Sequence, residues 1–71
     1  MDIKLINKKI SILGAAKSGV SVAKLIKSKG GIPFVSDSGD ENKLREYLEE
    51  LKREKIDFEI GKHSDKVFDA D

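Results

Sequence analysis

Apolar and polar positions alternate along this chain in two rhythms, and each marks an element. The compact run Lys9 to Leu13, with Ile10, Ile12 and Leu13, predicts a strand buried on both faces, as in a parallel sheet. From about Ser18 to Lys29 the spacing turns helical. Val20, Val22, Ala23, Leu25 and Ile26 form a broad apolar stripe, Lys24, Lys27 and Lys29 lie outside it, and Gly30-Gly31 ends it. Ile32 to Ser36 predicts a second strand, with Pro33 near its start, where a missing N–H is tolerated. A second helix follows over Asp40 to Lys55, its Leu44, Tyr47, Leu48 and Leu51 on one face and dense charge elsewhere. Ile56, Phe58 and Ile60 alternate with Asp57 and Glu59, which predicts a third strand, Ile56 to Ile60, in an outer position. Ser64 or Asp65 starts a short third helix carrying Val67 and Phe68. Met1 to Asn7 is a lead-in whose Ile3, Leu5 and Ile6 cover the bottom of the sheet.

The order β-α-β-α-β plus a helical fragment, joined by right-handed crossovers, predicts one α/β domain over residues 1–71. It is Rossmann-like and three-layered, with a parallel sheet ordered 3-2-1 and helices on its faces, stopping before a fourth strand. The outer edge of strand one is then bare. That predicts self-association through strand one, or a chain that is a piece of something longer.

The chemistry centres on Lys9 to Gly19, KISILGAAKSG, where strand, tight turn and helix meet. Gly14 permits backbone angles that a side chain forbids, and Gly19 permits close packing at the first helical turn. A helix N-terminus above such a turn offers free N–H groups and a positive dipole end, which favour phosphate. The spelling G-A-A-K-S-G keeps the first and last glycines of a dinucleotide fingerprint and puts Ala16 at the middle one. The bland alternative is a compact βα connection without a ligand. Lys17 is the lysine best placed to meet an anion, and Ser18 either caps the helix or turns to a phosphate oxygen. Asp37, closing strand two about 20 residues after the turn, stands where such folds put an acid on a nucleoside; ligand contact is favoured over capping. Ser38, in Ser38-Gly39-Asp40-Glu41, is favoured as the cap of the second helix.

Composition narrows the field. A length of 71 residues bounds a single small domain, and without cysteine there is neither a disulfide framework nor a cysteine-based metal site or nucleophile. A net charge of +1 with 38% charged residues of both signs gives no footprint for nucleic acid. No apolar run is long enough to span a membrane and no signal peptide is evident, so the expected location is the cytoplasm. His63 is the one histidine, read as a loop residue without the companions a metal site needs.

With these residues in place the chain resembles the N-terminal domain of the Mur ligases. The resemblance rests on ILGAAKSGVSVAKLIKSKG, then VSDS, then a charged helix, then FEIGKH and FDAD, with K-S-G-V-S-x-A-K-L the most specific run. It implies a domain that holds the UDP moiety of a nucleotide-sugar substrate. Gly14, Ala15, Ala16, Lys17, Ser18 and Gly19 would lie at the diphosphate, and Asp37, Ser38 and Gly39 at the uridine. Gly39 stands where some members have an arginine beside the uracil, which implies weaker uridine affinity. For the parent protein the resemblance implies an ATP-dependent amide ligase that adds D-glutamate to UDP-N-acetylmuramoyl-L-alanine in peptidoglycan biosynthesis, with magnesium on the phosphoryl groups. Those steps belong to a central ATPase domain and a C-terminal domain. No G-x-x-x-x-G-K-[ST] loop occurs in this chain, which is therefore expected to bind substrate and to hold no cofactor or catalytic residue of its own. Two readings stay beside it: an NAD(P)-binding domain with Asp37 on the adenosine ribose, and a non-enzymatic α/β interaction module.

Overall fold

The computed structural model describes residues 5–70; residues 1–4 and 71, and with them the expected cover by Ile3, lie outside the described residues. The elements run β1 (Lys9–Leu13), α1 (Lys17–Ser28), β2 (Ile32–Asp37), α2 (Glu41–Arg53), β3 (Asp57–Ile60) and a 3-10 turn, η1 (Asp65–Asp69). The three strands form one parallel sheet in the order β1-β2-β3, the predicted α/β arrangement with β2 central.

Register explains why this sheet takes this core. Ile12 pairs with Val35, and Val35 with Phe58, so all three project to one face, where α1 lies over β1 and β2 and α2 over β3. The two helices touch each other on that face. Between helices and sheet sit Ala15, Val20, Ala23, Val35, Leu48, Leu51 and Ile56, all buried, with Ile12, Leu44, Tyr47, Phe58 and Ile60 packed against them. The opposite face carries Ser11, Phe34, Ser36, Asp57 and Glu59, and its third layer is η1 alone, packed against β1.

That uneven cover corrects several expectations. β1 is not buried on both faces: Leu13 is 67% exposed and Ile10 only half-buried, because β1 is an edge strand with helices on one side. The stripe on α1 is narrower than its sequence suggests. Val20, Ala23 and Ile26 are buried while Val22 and Leu25 stay exposed, since a helix on a single sheet face meets it along one line. Ile6 is exposed too, resting beside Gly30 rather than covering the sheet.

Both helices end in the same way. After α1, Gly30 N–H bonds Lys27 O at 3.0 Å and Gly31 N–H bonds Ile26 O at 2.9 Å; after α2, Lys55 N–H bonds Lys52 O at 3.1 Å and Ile56 N–H bonds Leu51 O at 2.9 Å. These are Schellman closures. The second puts a non-glycine, Lys55, at φ 57°. Lys27 reaches from α1 to the carbonyls of Glu54 and Lys55, a cation on the negative end of α2. Pro33 is tolerated in the central strand because Ile32 N–H already faces β1, bonding Lys8 O, so position 33 faces β3, whose pairing begins only at Phe34.

Candidate functional site

The glycine turn joins the carboxyl end of β1 to α1. Gly14 sits at φ +114° and its N–H bonds Ser36 O at 2.8 Å, carrying the β1–β2 pairing one step beyond the strand. A Cβ on Gly19 would fall 1.8 Å from Gly14 O, so the first turn of α1 rests directly on the carbonyl of the glycine turn. Ala15 between them is completely buried. Ala16 occupies the N-cap position of α1 without a side-chain hydrogen bond, and no acid lies in the first turn. Ser18 therefore does not cap: the helix starts at Lys17, one residue earlier than its sequence suggests, and places Ser18 inside the first turn. By helix geometry the N–H groups of Ala16 to Gly19 have no intrahelical acceptor. Ala16, Lys17 and Ser18 are exposed around them, so the turn presents donors and one ammonium group at the carboxyl edge of the sheet.

Asp37, Ser38 and Gly39 follow β2 on the same edge. Asp37 Oδ2 accepts from Ala15 N–H at 2.7 Å and its Oδ1 from Gly39 N–H at 2.7 Å. The two sequence-predicted segments are thus brought together, with the Asp37 carboxylate as the bond between them. Ser38 is exposed and does not cap α2; Asp40 does, its carboxylate accepting from Asn42 N–H at 2.7 Å. Asp40 wins because it is the residue immediately before the first helical one and has the extended backbone, φ −84° and ψ 134°, that a cap requires.

A second polar group lies on the other face of the same strand ends. Ser36 is completely buried; its hydroxyl donates to Glu59 Oε2 at 2.6 Å and lies 2.7 Å from His63 Nδ1. Glu59 also accepts from the N–H of Ser64 at 2.7 Å and from its hydroxyl. These bonds, from Ser36 first and then Ser64, with Lys62 nearby, hold the Glu59 carboxyl well down, at about 2. A carboxylate can only accept, so the Ser36 proton belongs to Glu59 and His63 donates through Nδ1. A serine, a histidine and an acid meet here, yet the hydroxyl is buried with its proton held by a carboxylate, which makes the group a brace for the loop after β3. His63 itself is an exposed loop residue. Sequence reasoning missed Ser36, whose signal was a serine inside an otherwise apolar strand.

A groove of about 470 Å³ lies elsewhere: Lys9, Ile32, Asp57, Lys66 and Ala70 line it at the amino ends of the strands. Ligands of open α/β sheets bind at the carboxyl ends, and both predicted segments lie there, so the glycine-turn edge remains the candidate. Among the described residues no group of three or more His, Cys, Asp or Glu is placed to hold a metal ion, and no helix is long and apolar enough to cross a membrane.

A parallel βαβαβ sheet with a glycine turn and an acid-ended second strand on one edge defines a Rossmann-like α/β unit. No protein-family model matches the chain. Curated relatives do. It is 42% identical over 72 residues to UDP-N-acetylmuramoylalanine--D-glutamate ligase of Clostridioides difficile (strain 630), covering 100% of this chain and 16% of the relative. The ligase of the same name from Pelodictyon phaeoclathratiforme is 39% identical over 71 residues, again 100% of this chain, and 14% of the relative. That of Christiangramia forsetii is 46% identical over 66 residues, 90% of this chain and 14% of the relative. Over its length the chain is similar to ligases of this name and resembles an N-terminal segment of one, while spanning only 14 to 16% of the length of these proteins.

Proposed function

We propose that this chain is the part of a cytoplasmic ATP-dependent ligase that holds the UDP end of UDP-N-acetylmuramoyl-L-alanine while D-glutamate is added in peptidoglycan synthesis. The observation that carries the reading is the match of the whole chain to ligases of that name, made by a fold that sets a glycine turn and a helix N-terminus on one sheet edge. In this reading the N–H groups at the start of α1 and the Lys17 ammonium group take the diphosphate, and the loop Asp37 to Gly39 faces the uridine. ATP and magnesium are assigned in this reading to the rest of the ligase, since the chain carries no G-x-x-x-x-G-K-[ST] loop to cradle a triphosphate.

An amide-shift titration of the chain with UDP, UMP and NADH in parallel tests this. UDP is expected to move Gly14 to Gly19 and Asp37 to Gly39 together while NADH moves neither. Stronger shifts with NADH would replace the reading with a dinucleotide domain. A second reading is favoured by one observation, that β1 pairs with β2 on one side only and has no described strand beyond it. Pairing of that edge with a second copy predicts a dimer whose population rises with concentration in analytical ultracentrifugation; a monomer throughout removes it.

A further inference from the structure

The geometry points to Asp37 as a positioning residue: its carboxylate locks the glycine turn to the loop after β2 and so presets the phosphate half of the site against the nucleoside half. The inference deepens the UDP-binding reading and rests on it for the identity of the ligand, though the lock itself belongs to the free protein.

Four observations carry it. The main-chain ladder between β1 and β2 ends with Gly14 N–H on Ser36 O at 2.8 Å, and the next donor, Ala15 N–H, bonds Asp37 Oδ2 at 2.7 Å. A side chain thus supplies one more rung where the backbone ladder stops. The other oxygen turns the opposite way, to Gly39 N–H at 2.7 Å, two residues on. Each oxygen therefore makes a charge-assisted bond, and the pair joins segments 22 residues apart. Ala15 is completely buried, so its N–H serves Asp37 alone, and the donors left for a phosphate begin at Ala16. Finally, Asp37 Oδ1 and Leu44 Cδ1 lie 2.8 Å and 3.3 Å from where a Cβ on residue 39 would stand, so the carboxylate packs close against Gly39.

The consequence concerns specificity. A dinucleotide site needs the acid after its second strand to accept from ribose hydroxyls. Here each oxygen already accepts one backbone N–H, which fixes the direction of the carboxylate and leaves it fewer acceptor sites for ribose hydroxyls than an unengaged acid would offer. Fixing the two halves in advance also removes an ordering cost from a ligand that must touch both, which favours UDP over uridine.

The deciding measurement is NMR on the isotope-labelled full chain. In the ligand-free wild type, through-hydrogen-bond couplings are expected from Asp37 Cγ to both Ala15 N and Gly39 N, and both should persist when UDP is bound. Asp37→Asn replaces one acceptor oxygen with a donor. It should move the Ala15 or Gly39 amide upfield with changes confined to Gly14–Gly19 and Ser38–Glu41, and reduce UDP affinity by roughly tenfold while uridine affinity falls much less. A merely structural residue would spread its shift changes across the core and weaken both ligands alike. Missing couplings in the free wild type, or couplings lost when UDP binds, would overturn the inference and return Asp37 to direct nucleoside contact. If wild-type chain binds no UDP, the proposed function fails, and the free-state couplings still decide the role of Asp37.

Discussion

Gly19→Ala strikes the turn at its tightest point. The new methyl carbon would begin 1.8 Å from Gly14 O and 2.8 Å from the carbonyl carbon, where real Cβ atoms essentially never come closer than 3.0 Å. The obstacle is backbone, so no rotamer change relieves it, and Gly14 is itself held by its 2.8 Å bond to Ser36 O. Either that carbonyl or the start of α1 must move by more than an ångström. Such overpacking costs about 3 kcal/mol, against about 1 kcal/mol gained because alanine is the better helix former. The net loss, about 2 kcal/mol, corresponds to a fall of about 10 °C in Tm for a domain of this size. Thermal unfolding followed by circular dichroism reads it, with Gly14→Ala as comparison: φ is +114° there but nothing lies within 4 Å, so only backbone strain of about 1–2 kcal/mol is at stake. Under the proposed UDP-binding reading, the shifts that UDP is expected to induce at Lys17 and Ser18 should vanish with Gly19→Ala. A variant as stable as wild type, with unaltered amides from Gly14 to Gly19, refutes the contact argument.

Three more outcomes follow from individual side chains. Glu59 has its folded value depressed to about 2 from 4.5, so its stabilising effect is complete above about 4.5 and is lost as pH falls from there towards 2. In urea titrations from pH 7 to pH 2, Glu59→Gln should lose less stability on acidification than wild type; parallel curves would show that the carboxylate contributes nothing. Asp40→Ala removes the α2 cap and should lower stability by about 1 kcal/mol, with faster amide exchange at Asn42. Lys55→Gly relieves the left-handed backbone at φ 57° and should raise stability by up to about 1 kcal/mol in thermal unfolding; a loss would mean that the Lys55 side chain contributes more than its backbone costs.

Patterns with a short period were legible in the sequence, and contacts across elements were not. Leu44, Tyr47, Leu48 and Leu51 announce α2, and the bounds of β1 follow from KISIL, because each depends on neighbours a few residues away. The 3-2-1 order follows from the alternation of elements and the hand of crossovers. Ser38, Gly39 and Asp40 are all competent caps by composition, and the choice of Asp40 depends on where α2 begins, a matter of one residue. The Ser36–Glu59 bond depends on the β2–β3 register, which sets those two residues side by side and which no local pattern states. Asp37 was legible as a candidate site residue, but the direction of its oxygens depends on how the turn 22 residues earlier is held. Burial of β1 was overestimated for a similar reason: an apolar strand sequence says that a face wants cover, while the number of covering layers is a property of the whole fold.

The brace on the open face also sets an order of assembly. The hydroxyl of Ser11 bonds Val67 O at 2.7 Å across 56 residues of chain, a long loop for a single hydrogen bond to close. Glu59 changes the terms of that closure. Once β3 is paired, its carboxylate pins Ser64, which caps η1, and Val67 is delivered to Ser11 from an anchor three residues away. Because η1 buries no residue, releasing it would sacrifice hydrogen bonds and leave the buried core of the sheet in place. η1 is thus fastened like a hasp at Ser64, held there by one carboxylate on β3.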